Sequence, residues 1–531
     1  MGLKCNCRTI VAVIFYVLGI VFFVTGCVLL FGEILQNMID QKVDENIELK
    51  NGTLVFKQWR KQTSPIYMQY FVFDLQNPAE VMNGSELPYV IERGPYSYKE
   101  IRRVDILHYS ADKSIVTFMP NRTFIFDPET SCKGCNDTTD TFTNVNIPLL
   151  TLALWLKTTD YKSKHSICFQ GVEVILLKNK AALFQAKTVY EILWGYVDPV
   201  LNDINDVPSI FCPKKEGLDP FIQLQYNNTY YGISAINTGI KEINKLEQYE
   251  MWRNRPNLTW WESDYANMLN GTDGTQFKPR ISKSDTLYTF VPEICRSIYS
   301  VYDSTVTVRD IKLYRFTAPS VVYLSGDIYP PNMGFCVPPG CLPTGLLNLT
   351  RCQPQNPPVA VSPPHFYQSN SSLVKAVRGM HPVKSEHATF IDIEPITGIT
   401  MQANKRIQIN VALEPVSILS QTSGSFAPVF LPMMYVNESA LISEADAKTF
   451  RDKVYGPIDL AHGAEYGLVA VGGFFILVAS IVLVLECLRT NDDDTDKSKL
   501  IDCAIFENGL RQYYTRHYQN SWGASRFVCS F

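Results

Sequence analysis

Two uncharged apolar runs constrain this chain more than anything else in it. Ile10 to Gly32, IVAVIFYVLGIVFFVTGCVLLFG, and Tyr466 to Leu485, YGLVAVGGFFILVASIVLVL, lie near the two ends of a 531-residue sequence. At about 1.5 Å of rise per residue, each run as a helix reaches across the roughly 30 Å hydrocarbon core of a bilayer. A cleaved signal peptide has an apolar region of only about 7–15 residues followed by small residues. The first run is longer and continues into Glu33-Ile34-Leu35-Gln36, so it reads as an uncleaved signal anchor. The expected division is a cytoplasmic N-terminus (1–9), a first span (10–32), an exported region (33–465), a second span (466–485) and a cytoplasmic tail (486–531). Lys4 and Arg8 precede the first span and Arg489 follows the second, which puts both termini in the cytoplasm by charge bias.

The region between the runs carries the marks of export. Ten Asn-x-Ser/Thr sequons lie there, at Asn51, Asn83, Asn121, Asn136, Asn227, Asn257, Asn270, Asn348, Asn370 and Asn437, and none lies outside it. One sequon arises easily by accident; ten confined to one side of two spans argue jointly for a glycosylated extracellular or lumenal domain. Eight of the fourteen cysteines fall in the same region, where disulfides persist. Cys5, Cys7 and Cys487 lie close enough to the bilayer for S-palmitoylation, the alternative being plain reduced thiols. Cys132-Lys133-Gly134-Cys135 has redox spacing, but no βαβ pattern supports it, so a structural bridge is expected. Pro338-Pro339-Gly340, between Cys336 and Cys341, marks a turn that would let a small disulfide loop close.

Within this domain most of the pattern is β. Lys405 to Leu413 puts Ile407, Ile409, Val411 and Leu413 on one face and Arg406, Gln408 and Asn410 on the other. Tyr67 to Leu75 is apolar on both faces, as a central strand is, and Thr123 to Phe126 and Leu313 to Phe316 are short strands between turn signals. Residues 147–202 differ: PLLTLALWLK, GVEVILLKNKAALFQ and KTVYEILWGY have helical length and spacing, with Pro148 near a start. The net charge is −4, which gives no case for a nucleic-acid partner. From Lys157 to Lys187, however, six lysines face only Asp160 and Glu173. Lys178 and Lys180 are two apart and cannot share one regular helical face. Either a helix ends there, or Lys180 and Lys187 point together.

Arg93–Tyr98 (RGPYSY), Leu193–Pro199 (LWGYVDP), Asn270–Gly274 (NGTDG), Ile294–Tyr299 (ICRSIY) and Asp392–Gly398 (DIEPITG) occur in an order that resembles the class B scavenger receptors. The resemblance runs from the first span to the second. It implies an α+β ectodomain with an antiparallel β-barrel core, an internal lipid tunnel and a helical-bundle apex formed by residues 147–202. It also implies ligand binding at the apex by Lys178, Lys180 and Lys187, with fatty acids, cholesterol or phospholipid and lipoprotein particles as partners. Disulfides Cys295–Cys352 and Cys336–Cys341 are implied in the same way, while the pairing of Cys132, Cys135, Cys168 and Cys212 stays open. A lysosomal hydrolase is a further partner the family admits, although Lys187 stands where the lysosomal member has a pH-sensitive histidine, and His165 nearby reads as incidental. DKSKLI, with Asp496, Leu500 and Ile501, fits an acidic-dileucine sorting signal, which leaves plasma membrane and endosome–lysosome both open.

Two other classes share the topology. An ecto-nucleotidase needs paired Asp-x-Gly-Ser/Thr phosphate loops; Asp273-Gly274-Thr275 has the wrong spacing and no partner, and G-x-S-x-G, H-E-x-x-H and P-loop patterns do not occur. A two-span channel subunit should line its pore with a polar or small stripe, whereas Gly467, Ala470, Gly472, Gly473, Ala479 and Ser480 are scattered. A receptor, not an enzyme, with no cofactor and no metal is therefore expected.

Overall fold

The computed structural model describes residues 7–62, 64–158, 166–207, 219–337 and 340–492. It divides into two compact units, one built from both ends of the chain and the other from Lys42–Arg451.

In the first unit, helix α1 (Cys7–Phe31) packs along helix α6 (Gly456–Asp492), and both are long and apolar enough to cross a membrane. Hydrocarbon gives apolar helices no reason to associate by burial, so close backbone approach must do the work. Glycines supply it: a Cβ on Gly19 would stand 2.9 Å from Ile476 Cγ1, and one on Gly26 2.7 Å from a Val469 methyl. Phe15 meets Phe475 edge-on at 5.3 Å in the same interface. Cys7 opens α1 and Cys487 lies in the last turns of α6, while Cys5 and the tail residues Asp496, Leu500 and Ile501 lie outside the described residues.

The second unit is built on one large antiparallel sheet. Its principal strands are β1 (Ile66–Leu75), β2 (Val90–Tyr109), β3 (Ile115–Phe126), β4 (Ser234–Asn237), β5 (Tyr249–Trp252), β6 (Thr286–Val291), β7 (Arg296–Val308), β8 (Ile311–Thr317), β9 (Phe390–Ile393), β10 (Thr400–Leu413) and β11 (Val429–Leu441). Their spatial order is β5-β4-β3-β2-β1-β11-β10-β9-β8-β7-β6, two meandering arms joined where the first strand pairs with the last. The register there sets Ile66 against Ala440 and Val72 against Met434. The edge strands β5 and β6 are bridged by the NGTDG segment. Tyr249 N–H donates to Gly271 O at 3.0 Å, and Phe290 N–H donates to Thr272 O at 2.8 Å, so the sheet nearly closes into a barrel. Gly271 has φ +92°, and a Cβ there would collide with the Tyr288 carbonyl, so only glycine fits this seam. Closure removes the exposed edges that would otherwise template aggregation.

The expected strands are present: Tyr67–Leu75 falls within β1, Thr123–Phe126 ends β3 and Leu313–Phe316 lies in β8. In β10 the polar face is not a solvent face. Gln408 and Asn410 are fully buried, with Gln408 Nε2 donating to Asn410 Oδ1 at 2.7 Å and Asn410 Nδ2 donating to Ser362 Oγ at 3.0 Å.

Three disulfides are described: Cys132–Cys135, Cys295–Cys352 and Cys336–Cys341. The two CxxC cysteines are thus bonded to each other. Cys168 is disulfide-bonded as well, and Cys212 lies outside the described residues. All ten sequon asparagines fall in the second unit; Asn51, Asn83, Asn136, Asn227, Asn257 and Asn370 are exposed, and Asn121, Asn270 and Asn348 half-buried. Asn437 is the exception, buried with its Nδ2 donating to Gln69 Oε1 at 2.9 Å.

Candidate functional site

Residues 147–202 form the expected helical insertion only in part. Helix α2 (Ile147–Thr158) starts where Asn146 Oδ1 accepts the Leu149 N–H at 3.1 Å, and α3 (Ser166–Lys178) follows. Residues 179–188, expected to continue as helix, do not. Ala181 N–H donates to Leu176 O at 2.9 Å and Lys180 N–H to Leu177 O at 3.2 Å, with Lys180 at φ +49°. These are the two bonds and the left-handed residue of a Schellman stop. The chain then runs as a strand, Phe184–Thr188, paired with Thr141–Val145. A capping box between Thr188 and Glu191 starts helix α4 (Val189–Trp194). Local capping chemistry overrode the helical spacing, and of the two arrangements open for the lysines, the helix end is the one adopted.

The three lysines consequently differ. Lys178 closes α3 and pairs with Asp203 of helix α5 (Pro199–Asp206) at 2.8 Å, while its side chain stays 67% exposed. A cation in a last turn also suits the helix dipole. Lys180 is exposed and makes no ion pair among the described residues. Lys187 is held inward: its Nζ lies 4.0 Å above the Tyr196 ring and 3.6 Å from Glu191. Val174 and Leu177, one turn and one residue before Lys178 on α3, are 65% and 69% exposed. Spacing at i, i+3 and i+4 puts Val174, Leu177 and Lys178 on one face. That face is apolar and cationic at once. Its exposed leucine and valine were not singled out in the sequence, because a helical apolar residue is by default assigned to the core.

A second polar assembly lies in the barrel. Glu100 and Arg102 (β2), Arg122 (β3), Lys405 (β10), Glu438 (β11) and Glu293, in the turn between β6 and β7, form a closed ring of alternating charge. Arg102 bonds Glu100 at 2.7 Å and also Glu438; Lys405 bonds Glu438 at 3.2 Å and Glu293 at 2.9 Å; Arg122 bonds Glu293 at 3.1 Å and Glu100 at 3.5 Å. Glu293 and β3 are not neighbours in the sheet, so the ring links parts of the barrel that share no ladder. Burial works against ionisation of Glu293 and Glu438, but the surrounding cations hold both carboxyls well below their usual range. Beside the ring an apolar cluster lines the wall, including Met68, Tyr70, Val72, Phe124 and Met434.

A third cluster covers the buried polar face of β10. His365 stacks on His387 at 4.4 Å and meets His381 at 4.1 Å in a tilted arrangement, and its Nε2 lies 2.7 Å from Glu92 Oε2. Glu92, His365 and His381 bring one donor atom each within 4.8 Å, a spacing compatible with a metal. His365 Nδ1, however, accepts the His381 backbone N–H at 3.2 Å, so its Nε2 carries the proton it gives to Glu92. Both ring nitrogens of His365 are thus engaged in hydrogen bonds. Burial, reinforced by His365 and His381, pushes His387 down to about 4 from the ordinary 6.5.

Known proteins resemble the chain along most of its length. The CD36 family profile matches residues 17–483. Lysosome membrane protein 2 of Rattus norvegicus is 33% identical over 464 residues, covering 87% of this chain and 92% of the relative. The Homo sapiens protein of that name gives the same identity and coverage. Scavenger receptor class B member 1 of Mus musculus is 31% identical over 464 residues, 87% of each chain.

Proposed function

This chain belongs to the CD36 family, and we propose from that premise that it is a membrane receptor for anionic, apolar ligands, docking them on the end of α3. The observation that carries the reading is the exposed face of Val174, Leu177 and Lys178 with Lys180 beside it. A fatty-acid carboxylate, an anionic phospholipid or an oxidised lipoprotein surface offers both halves of the complement. Its acid group gains charge-assisted hydrogen bonds from lysine, and its chains cover the leucine and valine. Lys178 is shared with Asp203, so a ligand acid competes with that carboxylate; Lys180 is the freer cation. Lys187, clamped by Tyr196 and Glu191, positions the hairpin beneath. Passage of the bound lipid through the barrel to the bilayer belongs to the same reading, as do two spans with both termini cytoplasmic.

The test is binding of oxidised lipoprotein and of anionic phospholipid vesicles to cells displaying the full-length chain or Lys178→Gln/Lys180→Gln. Binding falls severalfold at equal surface level; unchanged binding refutes the site. Relatives named for the lysosome membrane and for scavenging both match. We assign the compartment to the tail signal of Asp496, Leu500 and Ile501, and imaging a Leu500→Ala/Ile501→Ala chain reads it. An unchanged distribution would refute sorting by that pair.

A further inference from the structure

Arg296 is a buried cation without a counter-ion. It opens β7, is 3% exposed, and makes no ion pair with any carboxylate among the described residues. Its guanidinium lies between two rings, 4.0 Å from the centroid of Phe335 and 4.8 Å from that of Trp261. One N–H is satisfied, Nη2 donating to Asn348 O at 3.2 Å, whereas Nε is enclosed with no acceptor. Aromatic faces stabilise a cation by about 0.5–2 kcal/mol, less than the several kcal/mol that enclosing an unpaired ion costs. Charge balance is therefore incomplete with protein atoms alone.

The missing partner has a place. Arg296 lines a cavity of ≈ 30 Å³ together with Leu324, Ser325, Asn332, Leu346 and the Cys336–Cys341 disulfide. A water-sized particle needs about 10–15 Å³ of such volume, so the cavity has room for a monatomic anion or about two to three waters. No carboxylate lines it. Asn332 cannot supply an alternative charge, and both of its amide hydrogens are used, on Val321 O and Leu324 O. Nor does the neighbourhood relax easily: a Cβ on Gly326 would stand 2.7 Å from Cys336 Sγ and 2.9 Å from Cys341 Sγ, so the disulfide fills that wall tightly.

We propose that this cavity is a halide-binding site in which a chloride ion pairs with the Arg296 guanidinium beside the Cys336–Cys341 disulfide. Desolvation already draws the arginine down to about 9, as expected of a cation whose burial no carboxylate offsets. Such an anion is structural: it ties the start of β7 to the 320–348 segment. It is independent of the α3 ligand site.

The experiment uses the full chain in detergent, melted at constant ionic strength in chloride, bromide, fluoride or gluconate. The melting temperature should rise saturably with chloride and bromide, remain lower in gluconate, and lose this dependence in Arg296→Met. A bromide soak of crystals of the unsubstituted protein should give an anomalous peak at the guanidinium, a readout that stands if Arg296→Met does not fold. Equal melting in all four salts, the same halide response in Arg296→Met, or a cavity holding only water would each overturn the assignment.

Discussion

Lys405 is the most informative place to disturb the charge ring. It sits between two carboxylates, 2.9 Å from Glu293 and 3.2 Å from Glu438. Lys405→Met keeps the stem but leaves three carboxylates facing two guanidinium groups. At an effective dielectric of about 20, a unit charge pair roughly 4 Å apart is worth about 4 kcal/mol. The two attractions lost are partly offset by relief of repulsion from Arg102 and Arg122. Five of the six side chains keep 17–32% of their surface accessible, which weakens the effect; Glu100 is fully enclosed. The net cost should be about 3 kcal/mol, the low end for breaking a buried pair. In a unit of about 400 residues this lowers the melting temperature by roughly 3–4 °C, measured by intrinsic fluorescence of the full chain in detergent. Lys405→Met/Glu438→Gln restores a two-against-two balance and should recover at least half the loss. A single variant melting within about 1 °C of the parent, or a double variant as low as the sum of its two singles, would refute the ring as a cooperative unit.

Three further outcomes follow from particular residues. Lys180→Gly should remove a cation from the ligand face while relieving the left-handed backbone, raising stability by about 1 kcal/mol; vesicle binding that does not fall would count against Lys180 as a contact. His387, neutral in the fold down to about 4 against 6.5 when free, makes the folded state resist protonation, so its stability is present above pH 6.5 and is lost as pH falls toward 4. Between pH 7 and pH 5 that loss is about 2 kcal/mol, or about 2 °C. His387→Asn, which can still accept the Val383 N–H, should shrink the acid-induced drop by that amount; an undiminished drop would assign it elsewhere. Gly271→Ala at the barrel seam should cost more than about 1 kcal/mol, because the added methyl meets the Tyr288 carbonyl, and a melt equal to the parent's would mean the seam does not hold the barrel.

The spans and most strands were legible because their signals are local and long: an uncharged run of span length, or alternation over many residues. What escaped was set by partners distant in sequence. Gln408 and Asn410 alternate with isoleucines as outward residues do, yet the 359–387 segment covers them and supplies Ser362 and His365 as bonding partners. The charge ring assembles six residues from five separate parts of the chain, none of which announces the others. At the candidate site, composition disclosed the lysines, but their unequal roles depended on a helix stop carried by Lys180, where a glycine would have advertised it. The exposed Val174 and Leu177 look in sequence like any core positions.

The pairing of the first strand with the last has a consequence for biogenesis. Until β11 leaves the ribosome, β1 has β2 on one side and an unfilled row of hydrogen-bonding groups on the other. Contacts so far apart in sequence are slow to form, and an open strand edge invites pairing with other chains. A chain terminated anywhere before Val429 therefore keeps that edge open whatever it retains of its ligand face. Premature stop codons upstream of Val429 should yield retained, aggregating protein and not a shortened receptor.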